Sequence, residues 1–61
     1  MQTLAQPTSR LVGSYRRFGL YGPVYQVIEE LDSDLLKITV VETGETLIYP
    51  RTKAIQDPAA E

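Results

Sequence analysis

The clearest pattern in the chain runs from Leu35 to Glu42 (LLKITVVE), where Leu36, Ile38 and Val40 fall on one side and Lys37 and Thr39 on the other. A period of two residues is the signature of a β-strand with one buried face. Val24 to Leu31 is rich in β-branched and aromatic residues and predicts a second strand. Between these two segments, Asp32-Ser33-Asp34 is turn chemistry, because short polar side chains bond their own backbone. Leu11 to Phe18 predicts an earlier strand, and Gly19-Leu20-Tyr21-Gly22-Pro23 predicts the turn after it. Glu45 to Tyr49 predicts a last strand after Thr43-Gly44, where glycine supplies a positive φ.

The register of the last hairpin follows from its side chains. An even-numbered loop sets Val40 opposite Leu47 and Ile38 opposite Tyr49, all on one face. A three-residue loop would set Val40 against Thr46 and Leu47 against Thr39, which scatters the apolar groups, so the even loop is preferred. Thr43 resists the positive φ of a tight two-residue turn, and a four-residue loop from Glu42 to Glu45 meets both demands. Pro50 then suits the first position of a helix, where its missing N–H costs nothing. Arg51 to Gln56 predicts a short helix that Pro58 ends, because residues before proline avoid the helical region. So short a helix must dock Ala54 and Ile55 on the sheet to survive.

The expected fold is mainly β: a small antiparallel meander of three or four strands, shaped like an SH3-like half-barrel, with a short C-terminal helix. Residues 1–9 read as a flexible arm, 10–58 as a single small domain and 59–61 as a tail. The expected core is Val12, Phe18, Val24, Tyr25, Val27, Ile28, Leu31, Leu36, Ile38, Val40, Leu47, Tyr49 and Ile55. A chain of 61 residues buries only about 60% of its unfolded surface, so the stability margin is slim. With neither cysteine nor histidine, the disulfide and zinc staples of small domains are absent. Self-association is the remaining staple. It also answers the apolar residues on both faces of the strands, where Ile28 with Val41 or Val27 with Val40 must face water in an uncovered sheet.

Composition narrows the chemistry. Lacking cysteine and histidine, the chain has no good nucleophile or proton shuttle at neutral pH, and no enzyme activity, cofactor or metal is expected. Asp32-Ser33-Asp34 is followed at once by Leu35 and Leu36, so it fails as a calcium loop and reads as a solvated turn. Gly19-x-x-Gly22 has the outline of a phosphate-clamping GXXG loop, but it separates strands rather than helices. Met1 to Ser9 lacks the basic start and apolar run of a signal peptide, and no stretch is long enough to span a bilayer, so a cytoplasmic protein is expected.

The net charge of −2 is unevenly spread. Met1 to Ile28 carries Arg10, Arg16 and Arg17 and no acid, whereas all 8 acidic residues follow. The bland reading is attraction between neighbouring strands. The sharper one concerns Tyr15-Arg16-Arg17-Phe18 with Tyr21 and Tyr25, since arginines interleaved with aromatic rings suit single-stranded nucleic acid. The acidic balance opposes it. Arg16, Arg17, Leu20, Tyr21 and Tyr25 are therefore candidate contacts, first for a protein partner, the chain itself included. Single-stranded RNA or DNA is the alternative, through Arg16, Arg17, Tyr21 and Tyr25. A third reading is an antitoxin-like neutraliser whose acidic strands from Glu29 to Glu45 cover a basic partner.

Val12-Gly13-Ser14-Tyr15-Arg16-Arg17-Phe18-Gly19, Gly22-Pro23-Val24-Tyr25-Gln26-Val27, Val41-Glu42-Thr43-Gly44-Glu45 and Tyr49-Pro50 together resemble a family of short, uncharacterised bacterial proteins. The resemblance covers about Leu11 to Pro58. It implies a bacterial cytoplasmic protein and brings no activity with it.

Overall fold

The computed structural model describes residues 11–60; the arm predicted for residues 1–9 lies outside them. Four antiparallel strands form one open sheet in sequence order, β1 (Tyr15–Arg17), β2 (Val24–Glu30), β3 (Leu35–Val40) and β4 (Thr46–Pro50), followed by helix α1 (Arg51–Gln56). The expected mainly β meander with a C-terminal helix is thus the fold observed. No helix among the described residues is long and apolar enough to cross a membrane.

Alternation decides the two faces. Tyr25 and Val27 on β2 lie opposite Val40 and Ile38 on β3, and Leu36 lies opposite Tyr49 on β4. Tyr25, Val27, Leu36 and Ile38 are completely buried, Val40 nearly so, and Phe18 and Tyr49 pack against this cluster. Val27 with Val40 therefore faces inward, while Ile28 and Val41 face water.

The even loop is correct, but the register differs by two residues: Ile38 faces Leu47 and Leu36 faces Tyr49. Slippage by two keeps every side chain on its face, so the hydrophobic pattern alone does not separate the two arrangements. The deciding contact is in the loop. Gly44, at φ 77°, donates its N–H to the Val40 carbonyl at 2.7 Å, and Val40 N–H bonds the Glu45 carbonyl at 2.8 Å. Val41 to Gly44 thus form the loop.

Several expected core residues are exposed, each for a local reason. Val12 lies in a turn whose closing residue, Ser14, donates both its N–H and its hydroxyl to the Leu11 carbonyl; Leu11 is buried instead. The first strand is correspondingly shorter than predicted. Ile28 is the extra residue of a β-bulge, since Val27 faces Ile38 but Glu29 already faces Lys37. Beyond the bulge the alternation inverts, placing Glu30 opposite Leu36 and leaving Leu31 outside the ladder. Leu47 is on the core face but at the sheet margin, and Ile55 lies on the outer side of α1, where only Ala54 reaches the core.

Pro50 sits one position earlier than predicted, at the cap, with φ −66° and ψ 134°. After α1 the chain crosses to the far margin of the sheet and pairs with β1. Arg17 N–H bonds the Pro58 carbonyl at 3.0 Å and Ala60 N–H bonds the Tyr15 carbonyl at 2.9 Å. Ala59 faces Arg16, and Ala60 is buried. The expected tail is therefore part of the fold at Ala59 and Ala60, with two alanines small enough to lie flat along the strand.

Gly22 closes the β1–β2 turn against Phe18, and a Cβ there would strike the Phe18 carbonyl oxygen and its Cβ. Gly22→Ala is expected to cost about 1–3 kcal/mol through forced displacement of this turn. Urea unfolding should give a lower midpoint; an unchanged midpoint would mean that the turn yields freely.

Candidate functional site

The candidate residues cluster around the turn between β1 and β2, but at different depths. Antiparallel pairing places Arg16 opposite Tyr25 and Arg17 opposite Val24. Arg16 and Tyr25 consequently share the core face, whereas Arg17 lies on the outer face beside Tyr15.

Tyr25 is wholly buried. Its ring centroid lies 4.5 Å from that of Phe18 and 5.3 Å from that of Tyr49, and Phe18 and Tyr49 are themselves 5.3 Å apart. Buried phenols need a partner for the O–H. Tyr25 and the half-buried Tyr49 both find it in Asp57: Tyr25 donates to Oδ2 at 2.7 Å and Tyr49 to the same oxygen at 2.8 Å. The other oxygen, Oδ1, accepts the Gly19 N–H at 3.3 Å.

The placement of that carboxylate follows from the sequence around it. Pro58 excludes helical backbone at Asp57, which takes φ −72° and ψ 144°. The helix therefore stops, and the last N–H turns back to the carbonyls of Lys53 and Ala54. Arg16 completes the end of α1, because its Nη1 donates to the carbonyls of Ala54 and Asp57 at 3.0 Å each. A cation bonded to the last carbonyls of a helix satisfies orphan acceptors and opposes the negative end of the dipole.

Arg16 and Tyr25 thus leave the candidate contact surface: one caps a helix and the other is core. Neither offers a guanidinium or ring face to a nucleic acid. Arg17, Leu20 and Tyr21 remain outside. Leu20 is 73% and Tyr21 96% exposed, and Arg17 Nη1 is 3.4 Å from the Gly22 carbonyl. Asp57 did not figure among the candidate residues. Its signal was present nonetheless: two tyrosines predicted on the core face require an acceptor, and an acid before proline at the helix end is placed to supply one.

No pocket opens among the described residues, and no group of three or more acidic, cysteine or histidine side chains converges there to hold a metal ion. Glu30 is brought to the core face by the bulge. Arg51 Nη1 lies 4.0 Å from its Oε2, a loose ion pair at the margin of the sheet. Lys37 and Glu29 pair at 3.7 Å on the outer face; both belong to the acid-rich part of the chain, so this pair does not join its basic and acidic parts.

Burial, and next the hydrogen bond and negative charge of Asp57, push the Tyr49 phenol up to about 12 and Tyr25 higher still. Both hold their protons more tightly folded than unfolded. The stability they contribute is complete below their ordinary value of 10.0 and drains away as the pH rises through the folded values. Urea midpoints should therefore fall from about pH 10 upward, and Tyr49→Phe should weaken that fall. Equal slopes in both proteins would contradict the assignment.

No curated protein matches this chain. Residues 2–61 match the family of unknown function DUF5397, and the chain belongs to that family.

Proposed function

We propose that the protein is a non-catalytic binding module, working in the bacterial cytoplasm, that docks another protein on the Leu20–Tyr21 tip. The exposure of these two side chains on a turn fastened from beneath carries the reading. Phe18 N–H bonds the Pro23 carbonyl at 3.1 Å, Gly19 N–H reaches Asp57, and Gly22 lies against Phe18. A tip already held in shape loses little freedom on binding. Tyrosine with a neighbouring arginine is the composition most often found at the energetic centre of protein interfaces. The fitting partner has a pocket for an aromatic ring and an acidic rim for Arg17. The absence of cysteine and histidine from the chain supports the non-catalytic part. A single-stranded nucleic-acid role is less well supported, since Arg16 and Tyr25 are occupied within the fold. An antitoxin-like role gains no specific contact.

Leu20→Ser/Tyr21→Ser should leave stability within about 0.5 kcal/mol of wild type, because both side chains are already in water. In capture from the native host, a protein held by wild type should be depleted at least about tenfold with the variant, a loss of roughly one 1.4 kcal/mol step. Equal retention by both, or capture abolished by nuclease, would overturn the reading.

A further inference from the structure

The two margins of the sheet are treated differently. The β1 margin is covered by the chain itself, through Pro58 to Ala60. The β4 margin has no partner strand among the described residues. Bonds from Val40 to Glu45 and from Arg51 to Asp34 fix which backbone groups of β4 face β3. By alternation, Glu45, Leu47, Tyr49 and Arg51 direct their backbone groups towards β3, while Thr46, Ile48 and Pro50 present theirs to the open side. That margin offers N–H and C=O at Thr46 and Ile48 and a C=O at Pro50. Unpaired strand edges are templates for another strand.

We propose that β4 of a second copy of this chain closes this margin, antiparallel and about a two-fold axis at Ile48. This edge is self-complementary. With Ile48 facing its own image, the two Ile48 backbones exchange both bonds, and each Thr46 N–H meets the partner's Pro50 carbonyl. Proline has no N–H to return to the partner's Thr46 carbonyl, so the pairing rests on four backbone bonds and leaves that carbonyl to water. Side chains match in the same register. Ile48, 57% exposed, meets Ile48; Leu47, left uncovered on the core face, meets Tyr49; and Glu45 meets Arg51. Among the described residues Glu45 forms no ion pair. Arg51, the first residue of α1, holds only long contacts, 4.0 Å to Glu30 and 3.5 Å to the Ser33 carbonyl, which it exchanges for Glu45 of the second copy. Opposite charges at directly facing positions favour this register and oppose a parallel one. A register slipped by two would bring Glu45 against Tyr49 and lose the charge match. An isologous contact of this kind closes at two subunits and does not propagate. The inference does not depend on what the Leu20–Tyr21 tip binds.

Sedimentation equilibrium over a hundredfold concentration range tests it, with wild type expected to move from monomer towards a dimeric mass. Ile48→Lys, an exposed position that folding does not need, should remain monomeric throughout. Glu45→Arg and Arg51→Glu should each weaken the homodimer at least about tenfold through like-charge contacts. Mixed one to one, they should restore a dimer, because each then faces its opposite at both ends. Circular dichroism of each variant separates lost association from lost folding, and Leu20→Ser/Tyr21→Ser should dimerise like wild type. A wild-type monomer at every concentration would overturn the proposal. So would a dimer that Ile48→Lys leaves intact, or a folded pair of charge variants that does not recombine.

Discussion

One carboxylate oxygen of Asp57 accepts the hydroxyls of Tyr25 and Tyr49, which come from strands β2 and β4, not adjacent in the sheet. In a chain this short neither the sheet nor the helix is self-sufficient. A six-residue helix is far below the length that persists alone in water. The open sheet needs something across its inner face. Asp57 ties α1 to the aromatic cluster, its backbone carbonyl receives Arg16, and the next residues lie along β1. Removing its carboxylate leaves the buried phenol of Tyr25 and the half-buried one of Tyr49 without their acceptor, which costs more than the bonds themselves contribute.

What was legible in the sequence divides along physical lines. Alternation marked β3 and its inward trio Leu36, Ile38 and Val40, and the proline pair Pro50 and Pro58 marked the bounds of α1. The bulge at Ile28 was not legible, because an extra residue changes which face Glu30 joins without altering the apolar composition of the strand. The two-residue slip between β3 and β4 was hidden for a related reason, since a shift of two leaves the pattern of faces intact. Of the candidate contacts, Arg17, Leu20 and Tyr21 are outside as expected. Arg16 and Tyr25 are inside because each has a partner distant in sequence: the carbonyls of Ala54 and Asp57 for one, the Asp57 carboxylate for the other.

The same network shapes the outer surface. By fastening the end of α1 and the Gly19 backbone, Asp57 holds the β1–β2 turn in place while its two apolar side chains remain in water. By directing residues 58–60 along β1, it covers one margin of the sheet and leaves the other to β4. Both proposed binding surfaces are thus consequences of where the C-terminal segment is held.

Asp57 acts through the two phenols, and a double-mutant cycle in urea measures this directly. Asp57→Ala should lower the unfolding free energy by about 1–3 kcal/mol in wild type, the cost of stranding one buried and one half-buried donor. In a Tyr25→Phe/Tyr49→Phe background, where no hydroxyl is left to strand, most of that loss should vanish. An equal loss in both backgrounds, or none in either, would contradict the account.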